Sequence, residues 1–329
     1  MHMIDTGHRS VGAALLTLLA QGKVGAAEEL LIDQIRADPN NVVAITNLGY
    51  VLSGQSKLDE AILLYQRAIG LDPRYAVAHN NLALAYLESG RRDKAEAAFL
   101  AAVEADAGYA VAKTNLAQLY HQEENWPEAE KWYLQYLKLQ PADPHAQYNL
   151  GVTYLKRGML DHAALRFGTV LRLEPAHADA KINLGAIVLR RGNPAEAARL
   201  FQQAVAHDPS NLLARYHLAL AHVATRDLNA AAAELEHIVS RDPSAVPALN
   251  NLALVYRELG NADRAISLLE PLLEKHHSNA TLHFNLCTLY RSAGDLPAAR
   301  RHLGEVLEIE PQGTPRYAAA VTLREEIGE

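Results

Sequence analysis

Fifteen histidines and a single cysteine are the side chains of this 329-residue sequence best suited to hold a metal or act as a nucleophile. The histidines are scattered. His217 and His222 stand five apart, so they do not share a helical face as metal ligands at i, i+4 would. His276, His277 and nearby His283 form a cluster that reads as a solvated loop rather than a metal site. Cys287 has no second cysteine to pair with, which excludes an intrachain disulfide. No glycine-rich phosphate loop, HExxH, CxxC or nucleophile elbow occurs. The sequence therefore points to no enzyme, no catalytic residue, no metal site and no cofactor.

One polar residue does recur with a fixed spacing. Asn47, Asn81, Asn115, Asn149 and Asn183 are 34 residues apart, and Asn251 and Asn285 continue the series with His217 in the one intervening place. A carboxamide carries both donor and acceptor, so a row of them can bond an extended backbone whatever its side chains. Something must present that row at a constant pitch. The segments NLGYVL, NLALAY, NLAQLY, NLGVTY, NLGAIV, HLALAH, NLALVY and NLCTLY hold the 34-residue period without insertion from Val42 to Gly313.

With Val42 as slot 1, slot 7 is Leu in all eight units, from Leu48 to Leu286. Slot 8 is small (Gly49, Ala83, Ala117, Gly151, Gly185, Ala219, Ala253, Cys287), which makes Cys287 a packing thiol. Slot 20 is always Ala, from Ala61 to Ala299, and slot 24 is bulky, from Tyr65 to Leu303. Small residues let two antiparallel helices approach, and Leu and aromatic residues fill the space between pairs. Gly near slot 15 (Gly90, Gly158, Gly192, Gly260, Gly294) suits a left-handed turn between the helices. Pro at slot 32, as in Pro73, Pro141 and Pro209, ends the second helix.

In length and pattern this unit resembles the tetratricopeptide repeat, a helix–turn–helix. The resemblance implies an all-α, right-handed superhelical solenoid of about nine helical hairpins plus a C-terminal capping helix. Residues 8–41 read as a degenerate first pair, 42–313 as eight tandem units and 314–329 as the cap. Thr314 is the expected N-cap with Pro315 at the first helical position, and the array is expected to stop there.

In this family the first helices line a concave groove, with slots 2, 5, 6, 9, 12 and 13 directed inward. That places the asparagines of slot 6 between partly apolar walls, among them Val43, Val77 and Val111 at slot 2 and Leu84 at slot 9. The arrangement is similar to the asparagine ladder of O-linked N-acetylglucosamine transferases, which holds substrate polypeptides. The alternative is that slot-6 Asn only supports the neighbouring helix. Fixing an extended peptide costs about 1–2 kcal/mol per residue. Each amide bond returns about 0.5–1.5 kcal/mol. A ladder alone thus breaks even, and affinity must come from apolar docking, expected to concentrate in residues 43–190. Repeats of this family that clamp the acidic C-terminus of chaperones use Lys at slot 2 and Arg at slot 6. Here slot 2 holds neither Lys nor Arg and slot 6 no Arg, which argues against such a clamp.

The expected role is a protein-interaction scaffold that binds an extended peptide or a partner helix. Its rivals are a substrate-recognition array acting with a glycosyltransferase and a self-associating scaffold. The net charge of −7, from 38 acidic and 31 basic residues, argues against nucleic acid as the main partner. No apolar run reaches the length of a membrane span. The stretch Val11 to Ala20 could imitate a signal peptide, which would place the protein in the periplasm or outside the cell. Because it is followed by the second half of a repeat unit, the expectation is a cytoplasmic protein, with Met1-His2-Met3 a cloning remnant. The array is also uneven. Arg226 replaces the turn Gly, and Pro271 falls inside a second helix, predicting a kink or altered angle near 266–280.

Overall fold

Ala and Leu lose little on entering a helix, and here they fill the intervals between turn residues spaced about half a period apart. The computed structural model describes residues 9–327, and every regular element among them is α-helical. Met1-His2-Met3 and residue 8 lie outside the described residues. The chain divides into two compact units, residues 1–173 and 174–329.

The first unit contains α1 (Arg9–Ala20), α2 (Val24–Ala37), α3 (Val42–Gly54), α4 (Leu58–Leu71), α5 (Ala76–Glu88), α6 (Arg92–Ala105), α7 (Ala110–Gln122), α8 (Trp126–Leu139), α9 (Pro144–Lys156) and α10 (Leu160–Leu173). The second contains α11 (Ala178–Arg190), α12 (Pro194–His207), α13 (Leu212–Ala224), α14 (Leu228–Arg241), α15 (Val246–Glu258), α16 (Ala262–Leu273), α17 (Ala280–Ala293), α18 (Leu296–Ile309) and α19 (Pro315–Glu326). The eighteen helices before α19 form nine antiparallel hairpins.

Each hairpin is closed by the small-against-large pairing that the slots anticipate. A Cβ built on Gly49, Gly151 or Gly185 would stand 2.7 Å from the ring of Tyr65, Phe167 or Phe201 respectively, the bulky slot-24 residue of the same hairpin. Every slot-20 alanine and every slot-24 side chain is buried. The turn is left-handed in all eight units. Gly90, Gly158, Gly192, Gly260 and Gly294 have positive φ, and Ser56, Glu124 and Arg226 are held there too, at φ 62°, 56° and 63°. The backbone path thus overrides side-chain preference at three of eight turns.

A polar bracket at slot 4 fixes how one hairpin follows the next. His79 Nε2 meets the Pro73 carbonyl at 2.9 Å, Lys113 Nζ donates to that of Ala107 at 2.6 Å, and Gln147 Nε2 to that of Pro141 at 2.9 Å. In the second unit Arg215 Nε donates to the Pro209 carbonyl at 3.1 Å and His283 Nε2 to that of His277 at 2.8 Å. Each acceptor is the slot-32 carbonyl of the preceding linker, which the ended helix leaves without an intrahelical donor.

The terminal elements follow from local chemistry. Thr314 Oγ1 accepts from the Tyr317 N–H at 3.2 Å and starts α19, whose Ala320 and Leu323 pack with Ile327 on Leu303 and Val306 of α18. The helix that contains Pro271 is shorter than its counterparts. α16 continues through the proline but ends at Leu273, two residues short of the 14 that the other second helices have from Leu58 onward. Pro271 has no N–H for the Ser267 carbonyl, and the chain closes with His276 N–H bonded to Leu272 O at 3.0 Å.

Candidate functional site

The first helices of successive hairpins touch one another: α3 with α5 in the first unit, α11 with α13 and α15 with α17 in the second. The second helices make no contact of that extent, so the first-helix side is the tighter, inner side of each stack. Slots 2, 6 and 9 of each first helix share a face there.

The asparagines do not lie open on that face. Asn47, Asn81, Asn115 and Asn285 are buried, while Asn149, Asn183 and Asn251 are half-buried. Their amides reach back one hairpin. Asn115 Nδ2 donates to Asn80 Oδ1 at 2.8 Å, and Asn80 Nδ2 donates to Asn81 Oδ1 at 3.3 Å. In the second unit Asn251 Nδ2 donates to the Tyr216 hydroxyl at 2.8 Å and Asn285 Nδ2 to Asn250 Oδ1 at 3.2 Å. In all three cross-hairpin bonds slot 6 donates to slot 5 of the preceding hairpin, 35 residues earlier. Asn149 instead bonds the hydroxyl of Tyr133, whose burial holds its pKa well above the usual tyrosine value. Support of the neighbouring hairpin is therefore one thing these carboxamides do.

The slot-5 partners Asn80, Tyr216 and Asn250 escape slot-by-slot reasoning because slot 5 has no constant residue type. The doublet Asn-Asn at 80–81 and 250–251 is the trace they leave. His217, which interrupts the asparagine series, stacks on Phe201 with ring centroids 5.3 Å apart, and burial lowers its pKa.

The apolar expectations sit differently. Val43, Val77, Leu84 and Val111 are all half-buried. They alternate along the first unit with the bonded polar floor. Nearby, His121 Nδ1 meets Thr153 Oγ1 at 3.2 Å, and burial followed by the Lys156 charge lowers the histidine pKa. The second unit has a recess of about 130 Å³, with Leu220, Val223, Leu228, Leu254 and Val255 on one side and Asn251, Arg257 and Glu258 at its polar edge.

The histidine cluster does not converge. His283 is buried and turns to His302, and no group of three or more His, Cys, Asp or Glu side chains among the described residues could hold a metal. Cys287 is fully buried, and burial pushes its thiol up to about 11, opposed by the Arg291 charge. No described helix is long and apolar enough to cross a membrane.

Hairpins of constant length that pack on their sequence neighbours define a helical repeat protein. Tetratricopeptide repeat models match residues 80–144, 148–211, 188–254 and 256–323, and a TPR repeat model matches 49–90. The chain belongs to the tetratricopeptide repeat family. No curated protein matches it. Among solved structures it is similar to the C-terminal part of a TPR repeat-containing protein from Cytophaga hutchinsonii (16% identity, 73% of this chain and 98% of that one, TM-score 0.61). It is also similar to YrrB, described as a TPR protein with an unusual peptide-binding site (24% identity, 56% and 95% covered, TM-score 0.50). A third similarity is to the APC/C hetero-tetramer Cut9–Hcn1 (19% identity, 94% and 60% covered, TM-score 0.54). At these identities the likeness is one of fold.

Proposed function

We propose that this protein is a non-enzymatic scaffold whose first-helix face holds an extended polypeptide segment of a partner. The observation that carries the proposal is the set of four apolar side chains, Val43, Val77, Leu84 and Val111, left half-buried on the inner side of the first unit. Burying a valine or leucine side chain fully is worth about 1.5–3 kcal/mol, so completing four half-burials outweighs what a few amide bonds return. Of the slot-6 row, Asn149, Asn183 and Asn251 are half-buried and border the first-helix face, while Asn47, Asn81, Asn115 and Asn285 are buried and support the first helices that carry it. Apolar docking sets affinity, and the half-buried amides border the backbone path. The peptide-binding description of YrrB and the complex formed by Cut9 agree with this class of role.

Panning a random peptide library on the full chain tests the proposal. Selected peptides are expected to carry spaced aliphatic residues and to slow hydrogen exchange in α3 to α7. Val77→Asp with Val111→Asp is expected to weaken them at least tenfold, and Asn81→Ala, Asn115→Ala and Asn149→Ala together by a smaller factor. Peptides that bind both variants as tightly as the unmodified chain would refute it.

A further inference from the structure

The contact between the two helices of the last hairpin differs chemically from its counterparts. Slot 4 meets slot 23 of the same hairpin at three described places. Arg166 Nη1 donates to Gln147 Oε1 at 3.3 Å, and Arg215 Nη1 pairs with Glu234 Oε2 at 2.6 Å. In α17 and α18 the pair is His283 and His302, Nδ1 to Nδ1 at 3.1 Å.

The proton positions follow from the partners. His283 Nε2 lies 2.8 Å from the His277 carbonyl, which only accepts, so Nε2 carries the proton. Neutral His283 therefore presents a bare Nδ1, and the shared hydrogen belongs to His302 Nδ1. A first extra proton can sit on His302 Nε2 without disturbing this bond. A second has only His283 Nδ1 to occupy, where it would oppose the His302 N–H at 3.1 Å. The closed pair thus accommodates one added proton, and the separated pair two.

We infer that His283 and His302 form an acid-released clasp that holds α18 to α17 at neutral pH and lets go on acidification. Protonation at Nδ1 leaves the His283 Nε2–H bond to the His277 carbonyl intact, so the contact released is the one between α17 and α18. The groups around the pair are defined. Tyr290 of α17 stacks on His302 with centroids 5.5 Å apart, and its hydroxyl bonds Glu270 of α16. Burial, then His283, then Arg301 lower the His302 pKa, while Glu270 and Glu305 oppose them. On the linker side, Lys275, His276 and His277 share a cavity with Arg316 of α19, itself paired with Glu310. Because the closed form binds fewer protons than the open one, its advantage is complete above the ordinary histidine range. The advantage declines as pH falls below that range, by up to about tenfold per pH unit for each proton of difference.

Hydrogen exchange on the full chain at pH 7.5 and 5.0, expressed as protection against intrinsic rates, tests the clasp. The unmodified protein is expected to lose about tenfold protection in α17 and α18, with less change in α3 to α8. His283→Gln should hold its protection within about twofold, since Gln147 already shows glutamine serving both the linker carbonyl and a slot-23 donor. His283→Arg with His302→Glu, which copies Arg215 and Glu234, should behave alike and decides the matter if the first variant fails to fold. Equal acid loss in these variants, or none in the unmodified chain, would overturn the inference.

Discussion

Asn115→Ala separates what the carboxamides do inside the protein from what they do for a ligand. Asn115 is 4% exposed, and its Nδ2 donates to Asn80 Oδ1 at 2.8 Å. Asn80 is itself fully buried and bonds onward to Asn81. Removing the amide leaves the Asn80 oxygen without this donor in a place water does not reach, a loss of about 1–3 kcal/mol. The vacated volume adds to it, and no gain in helix propensity at a buried site offsets more than about 0.7 kcal/mol. A net destabilisation of about 1.5–3 kcal/mol is expected. In a repeat array it should appear at the affected interface first, so hydrogen exchange resolved for α5 and α7 is a better measure than a single global midpoint. Asn80→Ala alone and the double substitution complete a cycle, with an expected coupling near 1 kcal/mol. A change below about 0.5 kcal/mol in Asn115→Ala, with no coupling to Asn80, would refute a structural role and leave these side chains to the ligand.

Three further outcomes are expected. Glu124→Gly relieves an exposed residue held at φ 56° and should stabilise the α7–α8 hairpin by about 0.5–1 kcal/mol in a thermal or denaturant melt. Pro271→Ala restores an N–H facing the Ser267 carbonyl and should both stabilise the chain and extend exchange protection in α16 towards Lys275, by up to about 3 kcal/mol locally. Cys287, with its pKa near 11 and no exposed surface, should stay unmodified by a thiol reagent at pH 8 in the native protein and react fully in denaturant. Rapid native labelling would contradict the packing at slot 8.

The fold was legible because its determinants repeat. The Gly, Ala and aromatic slots each answer one local steric question, and asking it eight times makes the answer audible in a single sequence. The site was less legible for the opposite reason. The bonds from Asn115, Asn251 and Asn285 end on Asn80, Tyr216 and Asn250, residues of different type joined only by a shared position relative to the next hairpin. The slot-4 bracket is filled by His, Lys, Gln and Arg in turn, which share a reach and a donor but no name. Pro271 shows a further limit. Proline forbids a bond, but where the helix then ends depends on how the following linker can close.

The 35-residue bonds also give the array a direction and an order. A hairpin supplies a donor to the one before it and must present an acceptor to the one after, yet the slot-5 residues include Ile182 and Phe284, which can present none. Transposing hairpins would therefore strand amides even though every helix boundary matched. Modules that look interchangeable in outline are keyed to their neighbours, and lengthening such a chain by duplication would succeed most readily where Asn-Asn doublets are copied whole.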